Sequence, residues 1–139
     1  MPLNPLCFMT YRWGPWAFEV PTGRDESVLS FLDAEEPPRW NLTVRSEPLS
    51  GPLEAWALAQ TPPPGVEVAG RDRRQVAGQP AVVVEQRLLL EDRTPLTQWQ
   101  AGIDAGGQVM IVTMTTRPSA QAVAKEAFER VLATWKREA

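Results

Sequence analysis

Three apolar, strand-like runs follow one another between Gly78 and Thr116, "AVVVEQRLLL", "PLTQWQAGI" and "GGQVMIVTMTT". The first two are interrupted by Gln, Glu or Arg, and short apolar runs of this kind, bounded by turn residues, read as neighbouring strands. The pattern predicts strands at about 81–91, 94–103 and 107–116, joined by "EDRT" and "DAGG", which are short enough for antiparallel hairpins. Upstream, "RWNLTVRSE" alternates with Trp40, Leu42 and Val44 on one side and Asn41, Thr43 and Arg45 on the other. Shorter strands are predicted in "WAFEVP" and "ESVLSFLDA", and a strand or two in "GVEVAGRDRRQV", with Gly78-Gln79-Pro80 as the connection to the next run.

Two segments carry the helical period instead. In "LSGPLEAWALAQTPPPG", Ser50 can cap a helix, Pro52 suits its first turn, and Pro62 to Pro64 with Gly65 stop it. Leu53 and Trp56 should face the core. After Pro118 and Ser119, the residues Val123, Ala124, Ala127, Phe128, Val131, Leu132 and Trp135 form one stripe at helical spacing, with charges on the other side. Residues 1–16, rich in Pro and Trp, are expected to be an irregular lead-in that packs Trp13 or Trp16 on the body. The expectation is a single domain over residues 1–139 of the α+β class: an antiparallel sheet of about six or seven strands, with an amphipathic C-terminal helix and a shorter mid-chain helix packed on it.

Composition narrows the chemistry. The chain has no histidine and one cysteine, Cys7. Imidazole bases, Ser–His and Cys–His pairs, His metal ligands and intrachain disulfides are thereby excluded. Glu35–Glu36 and Glu91–Asp92 are acidic neighbours in sequence, and neighbours on an extended chain point apart, which makes them poor acid–base couples. The glycines of "AGGQ" at 105–108 suit a hairpin, since no helix follows to receive a phosphate. No catalytic residue, metal site or cofactor is expected, and the reading is not an enzyme. The net charge of −3 gives no basic excess for nucleic acid, and Arg71, Arg73 and Arg74 read as a solvated edge. The first residues carry no cation ahead of their short apolar patch, and no run approaches the length of a membrane span. A cytoplasmic location without membrane insertion is the expectation.

The sheet faces hold the functional question. Gln98 and Gln100 share one face of their strand and Trp99 and Ala101 the other. With the C-terminal helix on the Trp99 face, the opposite face is expected to carry Gln98, Gln100, Glu85 and Arg87 beside apolar neighbours. Such a face is either a solvated side of an antiparallel sheet or a recognition groove. "GGQVMIVTMTT" is apolar on both sides, with Val109, Ile111, Thr113 and Thr115 on one and Met110, Val112 and Met114 on the other.

The order of these segments resembles a known pattern. "W–FEVP" at 16–21, "WNLTVRSEPL" leading into "LEAWALAQ", the spacing Val76, Gly78, Pro80, Ala81, then "LTQWQAGI" and "GGQVMIVTMTT" before an amphipathic helix resemble the DcrB-like, PsbP-like superfamily of small bacterial domains. Within it, members without a signal peptide resemble Eag-type chaperones of type VI secretion. That resemblance implies a cytoplasmic homodimer that holds N-terminal apolar helices of a secreted effector on the sheet face opposite the helices. The implied contacts map onto Gln98 and Gln100, with Leu29, Phe31 and Thr43 as neighbours. The alternative is a stand-alone PsbP-like domain, structural or regulatory, that docks on a folded protein.

Overall fold

The structure is a computed structural model and describes residues 7–13, 16–21, 24–27, 30–35, 37–59, 65–90 and 92–137. Its strands are β1 (Phe8–Trp13), β2 (Trp16–Pro21), β3 (Arg24–Ser27), β4 (Ser30–Leu32), β5 (Trp40–Pro48), β6 (Glu67–Val76), β7 (Gln79–Leu89), β8 (Pro95–Asp104), β9 (Gln108–Thr116) and β10 (Lys136–Arg137); its helices are α1 (Leu53–Ala59) and α2 (Gln121–Thr134). Seven strands form one sheet in the order β3-β4-β5-β9-β8-β7-β6, antiparallel throughout, and β1-β2-β10 form a second. The α+β expectation holds, and β7, β8 and β9 fall within two residues of their predicted limits at every end.

The turns explain the pairing. Between β6 and β7 the chain reverses through Ala77 and Gly78, at φ 52° and 76°, a two-residue turn whose left-handed backbone matches sheet twist. Gln79 and Pro80 already belong to β7, so the turn lies one residue earlier than the sequence indicates. Between β8 and β9, Gly106 and Gly107 take φ 74° and 83°, and the Asp104 carboxylate accepts the Gly106 N–H at 3.0 Å.

The stripe of α2 packs as expected. Ala124, Ala127, Phe128 and Val131 are fully buried against one sheet face, together with Leu42, Val44, Ala101, Ile103, Val112 and Met114. Burying a Phe or Leu side chain contributes about 1.5–3 kcal/mol, so this layer dominates the fold. The Trp99 ring lies 6.2 Å from that of Phe128.

Two expectations are corrected. The segment expected to be an irregular lead-in is a strand over Phe8–Trp13, paired residue for residue with β2, and β2 takes up β10 on its other side. Both strands of this hairpin meet residues far along the chain: Trp135 stacks on Phe18 of β2 at 4.3 Å, and the Arg130 guanidinium sits 4.1 Å over Phe8 of β1. Trp16 is buried beside Trp135, as expected of one of the early tryptophans. The second correction concerns α1, which packs on the face opposite α2. Leu53 and Ala57 cover Val82, Val84, Val109 and Ile111 there, forming a smaller second core with Leu49, Trp56 and Val68 at its margin. This core accounts for the strand that reads apolar on both sides, because β9 needs cover on both.

Candidate functional site: the amide and hydroxyl face of the sheet

Register assembles the site. Gln98 pairs with Gln86 on one side and Thr115 on the other, and Thr115 pairs with Asn41. One step along, Gln100 lies between Val84 and Thr113, and Thr113 pairs with Thr43. Two parallel rows of amides and hydroxyls thus cross the sheet at right angles to the strands, on the side away from α2. Asn41, Thr43, Gln98, Gln100, Thr113 and Thr115 are all half-buried. The rows are internally bonded: Gln98 Nε2 donates to Thr115 Oγ1 at 3.0 Å, and Gln100 Nε2 donates to Thr113 Oγ1 at 3.4 Å.

The residues named from sequence are divided by this geometry. Gln98, Gln100 and Thr43 stand together on the face. Phe31 does not: it is 1% exposed, pairs with the buried Leu42, and meets Tyr11 edge-on at 5.3 Å in the α2 core. Leu29 lies outside the described residues. Glu85 and Arg87 are also on the other face, since Glu85 pairs with Trp99 and accepts its indole N–H at 2.8 Å. The places expected for them are held by Val84 and Gln86. Asn41, Thr113 and Thr115 join the face without being among the contacts expected from sequence, although the alternation does place each on one side of its own strand. What the period lacked was the register that lines them up with the glutamines.

One end of the face is closed by α1. The Trp56 ring lies on Gly102, where any Cβ would overlap it, and its indole donates to Glu47 Oε1 at 2.6 Å. Glu47 also accepts from Arg45 at 3.0 Å, and these two hydrogen bonds hold its carboxyl below the ordinary range. The other end continues into Arg39 and Arg117 next to Leu96, around a cavity of about 220 Å³ that Asn41, Thr115 and Leu90 also line.

Other concavities carry paired charges. One of about 620 Å³ between α1 and the β6–β7 turn is lined by Glu54, Arg73 and Asp104 among others, and Glu54 is bound to Arg73 at 3.1 Å. Among the described residues, no group of three or more acidic, cysteine or histidine side chains is placed to hold a metal ion. None of the described helices is long and apolar enough to cross a membrane.

No family model matches the chain, and no curated protein matches its sequence. Solved structures do. The cyanobacterial PsbP (CyanoP) of Synechocystis sp. PCC 6803 superposes with a TM-score of 0.66 at 14% identity, over 97% of this chain and 95% of that one. PA94 of Pseudomonas aeruginosa, a protein of unknown function, gives 0.63 at 22% identity, over 91% and 94%. LpqN of Mycobacterium tuberculosis, involved in cell envelope biogenesis, gives 0.62 at 12% identity, over 98% and 87%. At these identities the likeness speaks for the fold alone. The antiparallel sheet, its C-terminal helix and its short second helix make a PsbP-like fold, matched along nearly the whole chain.

Proposed function

We propose that this chain is a non-enzymatic adaptor that holds an apolar helix of a client protein across the amide and hydroxyl rows, in the manner of an Eag-type chaperone. The carrying observation is the pair of rows themselves, Asn41–Thr115–Gln98 and Thr43–Thr113–Gln100, half-buried and flanked by apolar side chains. An exposed apolar helix aggregates, and a face that offers both apolar contact and exchangeable hydrogen bonds can shelter it. The amides of Gln98 and Gln100 can turn from their threonines to a polar atom on the incoming helix at little cost, because each swap exchanges one hydrogen bond for another. The N-terminal hairpin supports the same reading, since β2 packs beside α2 and leaves these rows uncovered. A homodimer in the cytoplasm, with a secreted effector as the client, is part of the proposal.

The rival reading, docking on a folded protein, draws on α1: by covering Val82 and Ile111 it shortens the open strip. The test is co-expression with apolar helices fused to a soluble carrier, comparing the native chain with Gln98→Ala plus Gln100→Ala. Because the amides exchange bonds, the loss in the complex is the polar atom of the client left buried without a partner, a cost of about 1–3 kcal/mol that weakens a genuine complex roughly tenfold while the fold persists. A well-folded protein that retains no apolar helix overturns the proposal and leaves the docking domain standing.

A further inference from the structure

The face has electrical polarity. Beyond the Asn41–Thr115–Gln98 row, the next residues on the same side of β5 and β9 are Arg39 and Arg117, and the Arg117 N–H continues the ladder to the Arg39 carbonyl at 2.7 Å. The two arginines are not equivalent. Arg39 is engaged by Asp33 at 2.7 Å and by Glu35 at 3.8 Å. Arg117 is half-buried, and the described residues place no carboxylate within 4 Å of it; exposed Asp92 acts on it only at longer range. Beside it, Leu96 and Leu90 line the same cavity, with Leu90 39% exposed. At the opposite end of the face stand Glu47, already taken by Arg45 and Trp56, and Asp104. A cation with apolar walls is therefore at one end, and a neutralised or acidic margin at the other.

We propose that the Arg117 end is an anchor for a carboxylate: it receives the acidic C-terminal end of the client helix, with an aliphatic side chain of that end against Leu90 and Leu96. The proposal rests on the helix-holding reading and adds to it the direction in which the helix lies. Charge complementarity selects this occupant. A helix C-terminus carries a partial negative charge of its own, and an Asp or Glu in its last turn adds to it. The guanidinium meets a carboxylate with a charge-assisted hydrogen bond in a half-desolvated setting, which decides orientation more than total affinity.

The experiment uses one apolar helix on a soluble carrier in two forms, ending in Asp-Glu or in Lys-Lys, mixed with the full chain at low salt and measured by retention on size exclusion and by titration. The acidic form binds tighter by about fivefold or more, the preference fades as salt is raised, and Arg117→Glu reverses it. Arg117→Gln, which keeps the aliphatic stem and removes the charge, abolishes the preference and guards against a reversal caused by misfolding. Equal binding of both forms, unchanged by either substitution, overturns the anchor and leaves the helix-holding face intact. Retention of neither form overturns that face, and the anchor with it. A self-associated species that Arg117→Glu disperses, with neither helix retained, assigns the face to a second copy and also overturns the anchor.

Discussion

Asp33 shows how much one buried charge organises. It is 3% exposed and accepts hydrogen bonds from Arg39 Nε at 2.7 Å, the Arg39 backbone N–H at 3.0 Å, Arg39 Nη2 at 3.3 Å and the Glu35 N–H at 3.4 Å. Its own N–H donates to the Trp40 carbonyl at 3.0 Å, so the connection from β4 to β5 is closed by one side chain. Burial pushes the Asp33 carboxyl up, but the bonds from Arg39 and Glu35 and the guanidinium charge outweigh it and hold the pKa below its ordinary value of 3.8. Because the folded-state value is the lower one, the ionised form stabilises the fold. That contribution is complete above the unfolded value and vanishes as pH falls through the folded one. Asp33→Asn leaves Arg39 short of its partner and costs about 2 kcal/mol at neutral pH. Urea titrations at several pH values check this: the gap between native and variant shrinks as pH drops below 3.8, and a gap independent of pH refutes the assignment.

At the scale of elements, α1 depends on its packing against the sheet. It is seven residues long, too short to persist on propensity, and Leu58 on its outer side is 67% exposed. It stays because Leu53 and Ala57 cover the valines of β7 and β9, and because Trp56 lies on Gly102. Glycine at 102 is required by that close approach. Gly102→Ala displaces the indole, costs about 1–3 kcal/mol, and raises amide exchange over residues 53–59 before the rest of the chain. Combining it with Trp56→Leu, which vacates the space, recovers part of the loss. Unchanged exchange in the single variant contradicts this account of α1.

Across the whole molecule, the two sheets share one core. Phe18 of β2 stacks on Trp135 with ring planes 8° apart, Arg130 binds Glu19 at 2.7 Å, and Thr134 Oγ1 accepts the Glu19 N–H at 2.8 Å. The small sheet and α2 are therefore expected to unfold with the large sheet in one transition. Trp135→Ala removes the ring that joins them and costs about 3–5 kcal/mol. Calorimetry then shows a lower midpoint with a single peak. A separate early transition for residues 8–21 would show that the N-terminal hairpin is an appendage.

The division between sequence and tertiary structure follows from what periodicity can encode. Chain-local spacing is sufficient for α2, where Ala124, Ala127, Phe128, Val131 and Leu132 are buried as read while Val123 is half-buried and Trp135 lies just past the helix end, and for β7, β8 and β9, whose apolar runs are long and whose turns are short. It is also sufficient to place Gln98 and Gln100 on one side of their strand and Trp99 on the other. A period of two partitions each strand into two sets, yet it does not say which set meets which on the neighbouring strand. A shift of one residue exchanges them. Hence the alternation puts Glu85 and Phe31 on the wrong face, and it places Asn41, Thr113 and Thr115 on a face of their own strands without joining them to the glutamines. Strand β1 is illegible for a related reason: Met9 and Thr10 are exposed, and Phe8 and Tyr11 are met by Arg130 and Phe31, which lie further along the chain. The helical content of α1 is written locally, but the side of the sheet it covers depends on where Val82, Val109 and Ile111 are brought together, and only the folded chain brings them together.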